Sequence, residues 1–227
     1  MPTRPQIAVL ISGSGSNLQA IIDACAMPIE QGGIDADICL VISNNASAYG
    51  LERAQLAQIP TLVLDHRQYA DRQDYDTALV KALSHATPEE STPDLIVLAG
   101  FMRILTPVFT GAFAGKLINI HPSLLPKYPG LHTHKRALEA GDTKHGATVH
   151  FVTEELDGGP PILQSAIDIQ SQDTEQSLAA RVLTEVEHKI YPTAVDWILQ
   201  KRIEIKNGTA YKDGEPLPKT GFQYSNR

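Results

Sequence analysis

Along most of the chain, short apolar runs rich in β-branched residues alternate with stretches whose apolar residues recur at helical spacing. Few architectures accept that order. An apolar run without polar alternation must be covered on both faces, which is how a strand of a parallel sheet reads. Parallel neighbours need crossover connections, and helices supply them. Residues 6–11, 36–42, 60–64, 94–99 and 116–120 read as such strands. Residues 16–26, 48–57, 71–85 and 106–114 read as the helices between them. Leu18, Ile21, Ile22 and Cys25 share one helical face, and Tyr75, Leu79 and Leu83 share another. Thr106 suits an N-cap and Pro107 the first helical position. The expected class is α/β: a single doubly wound, mostly parallel sheet with helices on both faces.

After residue 145 the pattern changes. Residues 147–153 and 161–169 read as strands separated by ELDGGP, and a long helix is expected over 174–200. Its apolar face is Leu178, Val182, Val186, Ile190, Ala194 and Trp197, and Pro192 inside it predicts a kink or a break. Beyond it, apolar and polar residues alternate around Asn207-Gly208, a β-hairpin signal. The last ten residues offer no core and read as loose. No repeat, low-complexity stretch or long linker interrupts the 227 residues, so one domain is expected.

Charge and cysteine usage narrow the function classes. A formal net charge of −7 disfavours nucleic-acid binding through a broad basic surface, but it leaves room for a local pocket for a small anion. Cys25 and Cys39 are too few for a disulfide framework and read as reduced, mostly buried thiols. No signal-peptide pattern and no apolar stretch of membrane-spanning length is present, which makes the cytoplasm the expected location.

Two segments carry chemistry. Ser12-Gly13-Ser14-Gly15-Ser16-Asn17 joins the first strand to the first helix. Glycines there let the backbone approach a ligand, and the helix start offers unpaired amides to a phosphate. A tight turn with Ser16 or Asn17 as a plain cap is the alternative. The third glycine of a dinucleotide fingerprint would fall at Leu18, and no Lys-Ser/Thr completes a P-loop, so no nicotinamide cofactor is expected. The second segment is Asn119-Ile120-His121-Pro122-Ser123-Leu124-Leu125-Pro126 at the end of the fifth strand. Ligands of open α/β sheets gather outside the carboxyl ends of strands. Asn119 and His121, two apart, point the same way; an amide can stabilise a developing oxyanion and an imidazole can shuttle a proton. Asp157 lies in the ELDGGP turn, where it could hold the imidazole or simply begin the turn. His121, His132, His134, His145 and His150 lack metal-site spacing, and no G-x-S-x-G elbow exists, so neither a metal nor a hydrolytic triad is expected.

Four stretches in order, ISGSGSNLQAIIDAC, VLAGFMRIL, NIHPSLLPKYPGLHTH and GATVHFVTEELDGGP, resemble the phosphoribosylglycinamide formyltransferases, folate-dependent enzymes of purine synthesis. The resemblance runs from about residue 6 to residue 200. It implies a Rossmann-like formyltransferase domain over residues 1–227, with a phosphate-binding half at about 1–100 and a folate-binding, catalytic half at about 101–215. It implies formyl transfer from 10-formyltetrahydrofolate to the amine of N1-(5-phosphoribosyl)glycinamide, with no metal. By motif match the catalytic trio is Asn119, His121 and Asp157. Asn119 and protonated His121 would stabilise the oxyanion, and Asp157 would orient the imidazole. Gly15, Ser16 and Asn17 would take the substrate phosphate, Glu187 would contact the substrate, and His150 would serve it from beside the phosphate or the catalytic network. Arg72, Met102, Arg103, Ile104, Leu105 and Leu156 would serve the folate. The partners implied are small molecules, with neither nucleic acid nor membrane, for a cytoplasmic monomer or homodimer.

Ser14 and Thr148 stand where other members carry different small polar residues, and residues 67–75 and the tail after Lys201 match loosely. The SLLP core is shared with formyl-folate hydrolases and with methionyl-tRNA formyltransferases. The hydrolases carry an added N-terminal domain and the latter a C-terminal tRNA-binding domain. Neither is expected in this acidic chain, which starts at its first strand and has about 30 residues after the long helix. A non-catalytic phosphosugar-binding module is the remaining alternative.

Overall fold

The computed structural model describes residues 4–225. Its contacts divide the chain into two compact units, between Ile118 and Asn119.

In the first unit, four parallel strands follow the order β4-β1-β2-β3: β1 (Gln6–Ile11), β2 (Asp37–Ser43), β3 (Thr61–Val63) and β4 (Leu95–Leu98). The connections carry the helices α1 (Ser16–Ala26), α2 (Tyr49–Leu56) and α3 (Arg72–Leu83), and α4 (Pro107–Ala112) follows β4. This is the α/β architecture that the alternation implies. β1 pairs on both edges, and Ile7 through Ile11 are fully buried. Each such aliphatic side chain contributes about 1.5–3 kcal/mol when withdrawn from water. Asp71 caps α3 by accepting from the Gln73 and Asp74 amides, while Pro107 begins α4 as its locked φ favours. Because β1 has β2 on one side and β4 on the other, the chain order reverses there. That places a crevice outside the carboxyl ends of β1 and β4.

β5 (Leu117–His121) carries the chain into the second unit. There α5 (Thr133–Glu139), β6 (Lys144–Phe151) and β7 (Pro161–Asp168) follow, with β6 and β7 antiparallel. α6 (Glu175–Arg181) starts with a capping box between Thr174 and Ser177. A π-helical turn (Val182–Glu187) joins it to α7 (His188–Leu199). A small antiparallel sheet then forms from β8 (Ile203–Lys206), β9 (Thr209–Lys212) and β10 (Glu215–Pro216). Asn207 and Gly208 both take positive φ between β8 and β9, as the hairpin signal requires.

Three expectations need correction. The helix over 174–200 departs from α geometry at the π-helical turn, whereas α7 runs through Pro192 without ending. A helix-interior proline costs roughly 3 kcal/mol. The complete burial of Ile190, Tyr191, Ala194 and Val195 offsets that cost and holds the helix. Of the last ten residues, 226 and 227 lie outside the described ones, and the rest are not loose: β11 (Phe222–Gln223) adds a parallel strand to the edge of β7. The Phe222 ring meets Trp197 edge-on at 5.3 Å, with the Lys212 ammonium over both rings. Those aromatic contacts lie 25 residues apart in sequence and leave no periodic trace. Finally, α5 and the start of β6 at Lys144 were not anticipated, because THKRALE is too short to show a helical period.

Candidate active site

In the first unit, a cavity of about 200 Å³ opens at the crevice between β1 and β4, lined by Ser12 to Asn17 and by Ala99, Gly100 and Met102. The cap position of α1 falls on Gly15, at φ 69°, which has no side chain to satisfy the first-turn amides. Ser16 and Asn17 are the first helical residues rather than the cap. The turn therefore keeps a phosphate-type amide array beside a cavity. Glycine is needed for more than its φ: a Cβ on Gly15 would lie 2.5 Å from Gly50 Cα.

The segment after β4 borders the same cavity. The Met102 amide donates to Ser12 Oγ at 2.8 Å, and Ser12 Oγ in turn donates to Asn44 Oδ1 at 2.6 Å. Met102 and Ile104 are 69% and 57% exposed, an unusual state for large apolar side chains flanking a cavity. Arg103 lies between them with Nε buried and without a hydrogen-bond partner, and Leu105 is half-buried. Such a surface can accept a ligand with apolar faces. Arg72, the first residue of α3, is exposed. A cation there gains nothing from the helix dipole, whose positive end it occupies.

In the second unit, β5 delivers Asn119 half-buried and His121 buried on the same face of the strand. His121 Nε2 donates to the Tyr128 carbonyl at 2.8 Å, and Nδ1 lies 3.5 Å from Asp157 Oδ2. Both ring nitrogens thus face acceptors, which the doubly protonated ring satisfies. Asp157 Oδ2 also accepts from the Gly130 amide at 2.8 Å. The carboxylate is only 8% exposed, so it does more than begin a turn. The turn places it at φ 51°, and Gly159 lets the chain pass tightly against the end of β6: a Cβ there would lie 1.9 Å from the Phe151 carbonyl oxygen. Leu156, beside it, is 57% exposed.

His150, on β6, completes the cluster. Its Nδ1 donates to the Phe151 carbonyl at 2.8 Å, and burial pushes the imidazole down to about 4. A neutral ring with Nδ1–H presents a lone pair at Nε2, which accepts from Asn119 Nδ2 at 3.4 Å. That bond orients the Asn119 amide, nitrogen toward His150. Glu187 is buried on the π-helical turn, which packs on β6 and β7. His132 takes a left-handed conformation before α5, and His134 and His145 meet each other at 3.1 Å. Burial lowers both of the latter, His145 to about 4. Among the described residues no group of three or more His, Cys, Asp or Glu side chains is placed to hold a metal ion. Likewise, among them no helix is long and apolar enough to cross a membrane. Cys25 and Cys39 are free, and burial pushes both thiols up to about 11, out of the reactive range.

Sequence reasoning missed the support beneath this cluster. Thr148 Oγ1 donates to the Ser123 carbonyl at 2.7 Å and accepts from the Leu125 amide at 3.1 Å and from Gln164 Nε2 at 2.9 Å. Gln164 Nε2 also donates to the Leu125 carbonyl. The rigid loop after His121 is thereby tied to β6 and β7. The available signal was a polar residue near the middle of each strand, Thr148 in β6 and Gln164 in β7.

Comparison with known proteins gives a consistent picture. Residues 5–195 match the model of the formyl transferase family. The chain is 50% identical over 216 residues to the phosphoribosylglycinamide formyltransferase of Escherichia coli (strain K12), covering 95% of this chain and 97% of that protein. It is 44% identical over 206 residues to the human trifunctional purine biosynthetic protein adenosine-3, covering 90% of this chain and 19% of that protein. The solved phosphoribosylglycinamide formyltransferase of Coxiella burnetii is similar with a TM-score of 0.89 at 48% identity, covering 98% of this chain and 100% of that one.

Proposed function

The chain belongs to the formyl transferase family, and we propose that it transfers the formyl group of 10-formyltetrahydrofolate to the amine of N1-(5-phosphoribosyl)glycinamide. The products are the N-formyl ribonucleotide and tetrahydrofolate, within purine biosynthesis. The observation that carries this reading is the buried pair of His121 and Asp157, 3.5 Å apart, with Asn119 on the same face of β5 as His121.

Formyl-folate supplies the formyl carbon and a nitrogen that leaves it. Met102, Arg103, Ile104 and Leu105 would hold its ring system, with Leu156 as a further apolar contact and Arg72 toward its anionic tail. The exposed apolar side chains and the orphaned Arg103 Nε support that assignment. The amides of Gly15, Ser16 and Asn17 take the substrate phosphate, and Glu187 contacts the substrate.

As the amine attacks the formyl carbon, negative charge grows on the formyl oxygen. Asn119 Nδ2 and His121 Nε2–H donate to it, the imidazole exchanging its bond to the Tyr128 carbonyl for this oxygen. Asp157 opposite Nδ1 keeps the ring oriented. One proton must leave the amine and one must reach the folate nitrogen; His121 mediates that exchange, directly or through water. His150 is 2% exposed, so its role is to fix Asn119 rather than to touch substrate. The setting is cytoplasmic, with small molecules as partners.

The test is an absorbance assay of folate deformylation with and without glycinamide ribonucleotide. Deformylation that requires the ribonucleotide is expected. Equal deformylation without it would make the enzyme a hydrolase, and ligand binding with no deformylation would leave a binding module.

A further inference from the structure

The second layer behind the glycine turn lies on α2. Arg53 Nε donates to the Ser14 carbonyl at 2.9 Å, and its Nη1 donates to Gln19 Oε1 on α1 at 3.1 Å. The guanidinium also sits 4.9 Å from the centre of the Tyr49 ring, so it is held on three sides. One residue earlier in the turn, the Gly13 carbonyl accepts from the Gly50 amide at 3.0 Å. Building on the phosphate role given above, we propose that Arg53 is the positioning residue that turns the Ser14–Gly15 peptide so that its N–H faces the anion cavity.

The argument is geometric. In a trans peptide the C=O and the following N–H point in opposite directions, and among the described residues the only cis peptide is Leu125–Pro126. Two consecutive carbonyls drawn toward α2 therefore send the Ser14 and Gly15 N–H groups away from α2. The cavity lies on that side: the turn and Ala99, Gly100 and Met102 line it, and no residue of α2 does. A peptide flanked by glycine flips at little cost, so nothing within the turn itself selects this orientation. The contact between Gly15 and Gly50 locates the turn, and Arg53 orients it. The two donors leave Arg53 in a fork that lysine, a single point charge, cannot reproduce.

The test measures binding of ribose 5-phosphate by calorimetry, alongside steady-state kinetics, for wild type, Arg53→Ala and Arg53→Lys. A hydrogen bond from a charged donor is worth roughly a 10-fold change in equilibrium. Arg53→Ala should weaken ribose 5-phosphate and raise KM for the ribonucleotide about 10-fold. Turnover at saturation and KM for formyl-folate should stay near wild type, and Arg53→Lys should fall between. Unchanged ribose 5-phosphate affinity in Arg53→Ala would overturn the proposal, as would lost turnover with an unmoved KM. If Arg53→Ala does not fold, Arg53→Lys and Arg53→Gln carry the same comparison. Should the wild type transfer no formyl group, the reaction assigned above falls, while the calorimetry still decides the role of Arg53.

Discussion

Asn119 is oriented by a histidine that cannot charge easily. Burial holds His150 neutral, its Nδ1–H goes to Phe151, and the remaining lone pair fixes the Asn119 amide. If that is what His150 does, its removal matters only while Asn119 is present. His150→Ala should lower turnover by about 10-fold, and Asn119→Ala by more. The double variant should be no worse than Asn119→Ala alone, which a double-mutant cycle on kcat reads directly. Additive losses would show that His150 acts independently. At this scale the sequence was informative about residue types. Asn119 and His121 are two apart on one strand, and their shared direction follows from strand geometry alone. Asp157 was ambiguous because its meeting with His121 depends on 35 intervening residues. The link from Asn119 to His150 was illegible for the same reason.

The elements that support these residues make a separate prediction. The loop after His121 hangs on Thr148, whose hydroxyl has one donor and two acceptor bonds, all made to buried partners. Thr148→Val keeps the shape and strands the Leu125 amide and the Ser123 carbonyl. A buried unsatisfied group costs about 1–3 kcal/mol, so the thermal midpoint should fall by about 3–10 °C. Likewise Gly15→Ala forces a Cβ against Gly50 Cα at a left-handed φ. It should weaken ribose 5-phosphate binding while the catalytic cluster stays intact. The strands and most helices were legible because their periods are strong. The π-helical turn and the run through Pro192 were not, since tertiary burial of α7 overrides the local cost of proline. β11 was missed because a two-residue strand has no period.

For the molecule as a whole, the buried His145 and His150 and the half-buried His134 set an acid limit. Burial lowers His134, and takes His145 and His150 from 6.5 to about 4. Between about pH 6.5 and about pH 4 the unfolded chain binds protons that the folded chain refuses. Stability that is complete above 6.5 is therefore lost as the pH falls toward 4. Thermal unfolding at pH 5 should occur about 5 °C or more below that at pH 7.5, and His145→Gln should flatten the slope. A pH-independent midpoint across that range would contradict the burial argument. At this scale the alternation of apolar runs was enough for the α/β class. The division of contacts between Ile118 and Asn119 was not foreseeable, because it falls inside a strand that reads as continuous.

The most direct measurement is ribonucleotide-dependent formyl transfer by wild type and His121→Ala, each checked for folding by circular dichroism and for ribose 5-phosphate binding. Losing a donor to a developing oxyanion costs about 10²–10³ in turnover. A drop of that size, with fold and ribose 5-phosphate binding intact, is the predicted result. A folded His121→Ala enzyme with near wild-type turnover would contradict the assignment of the catalytic cluster.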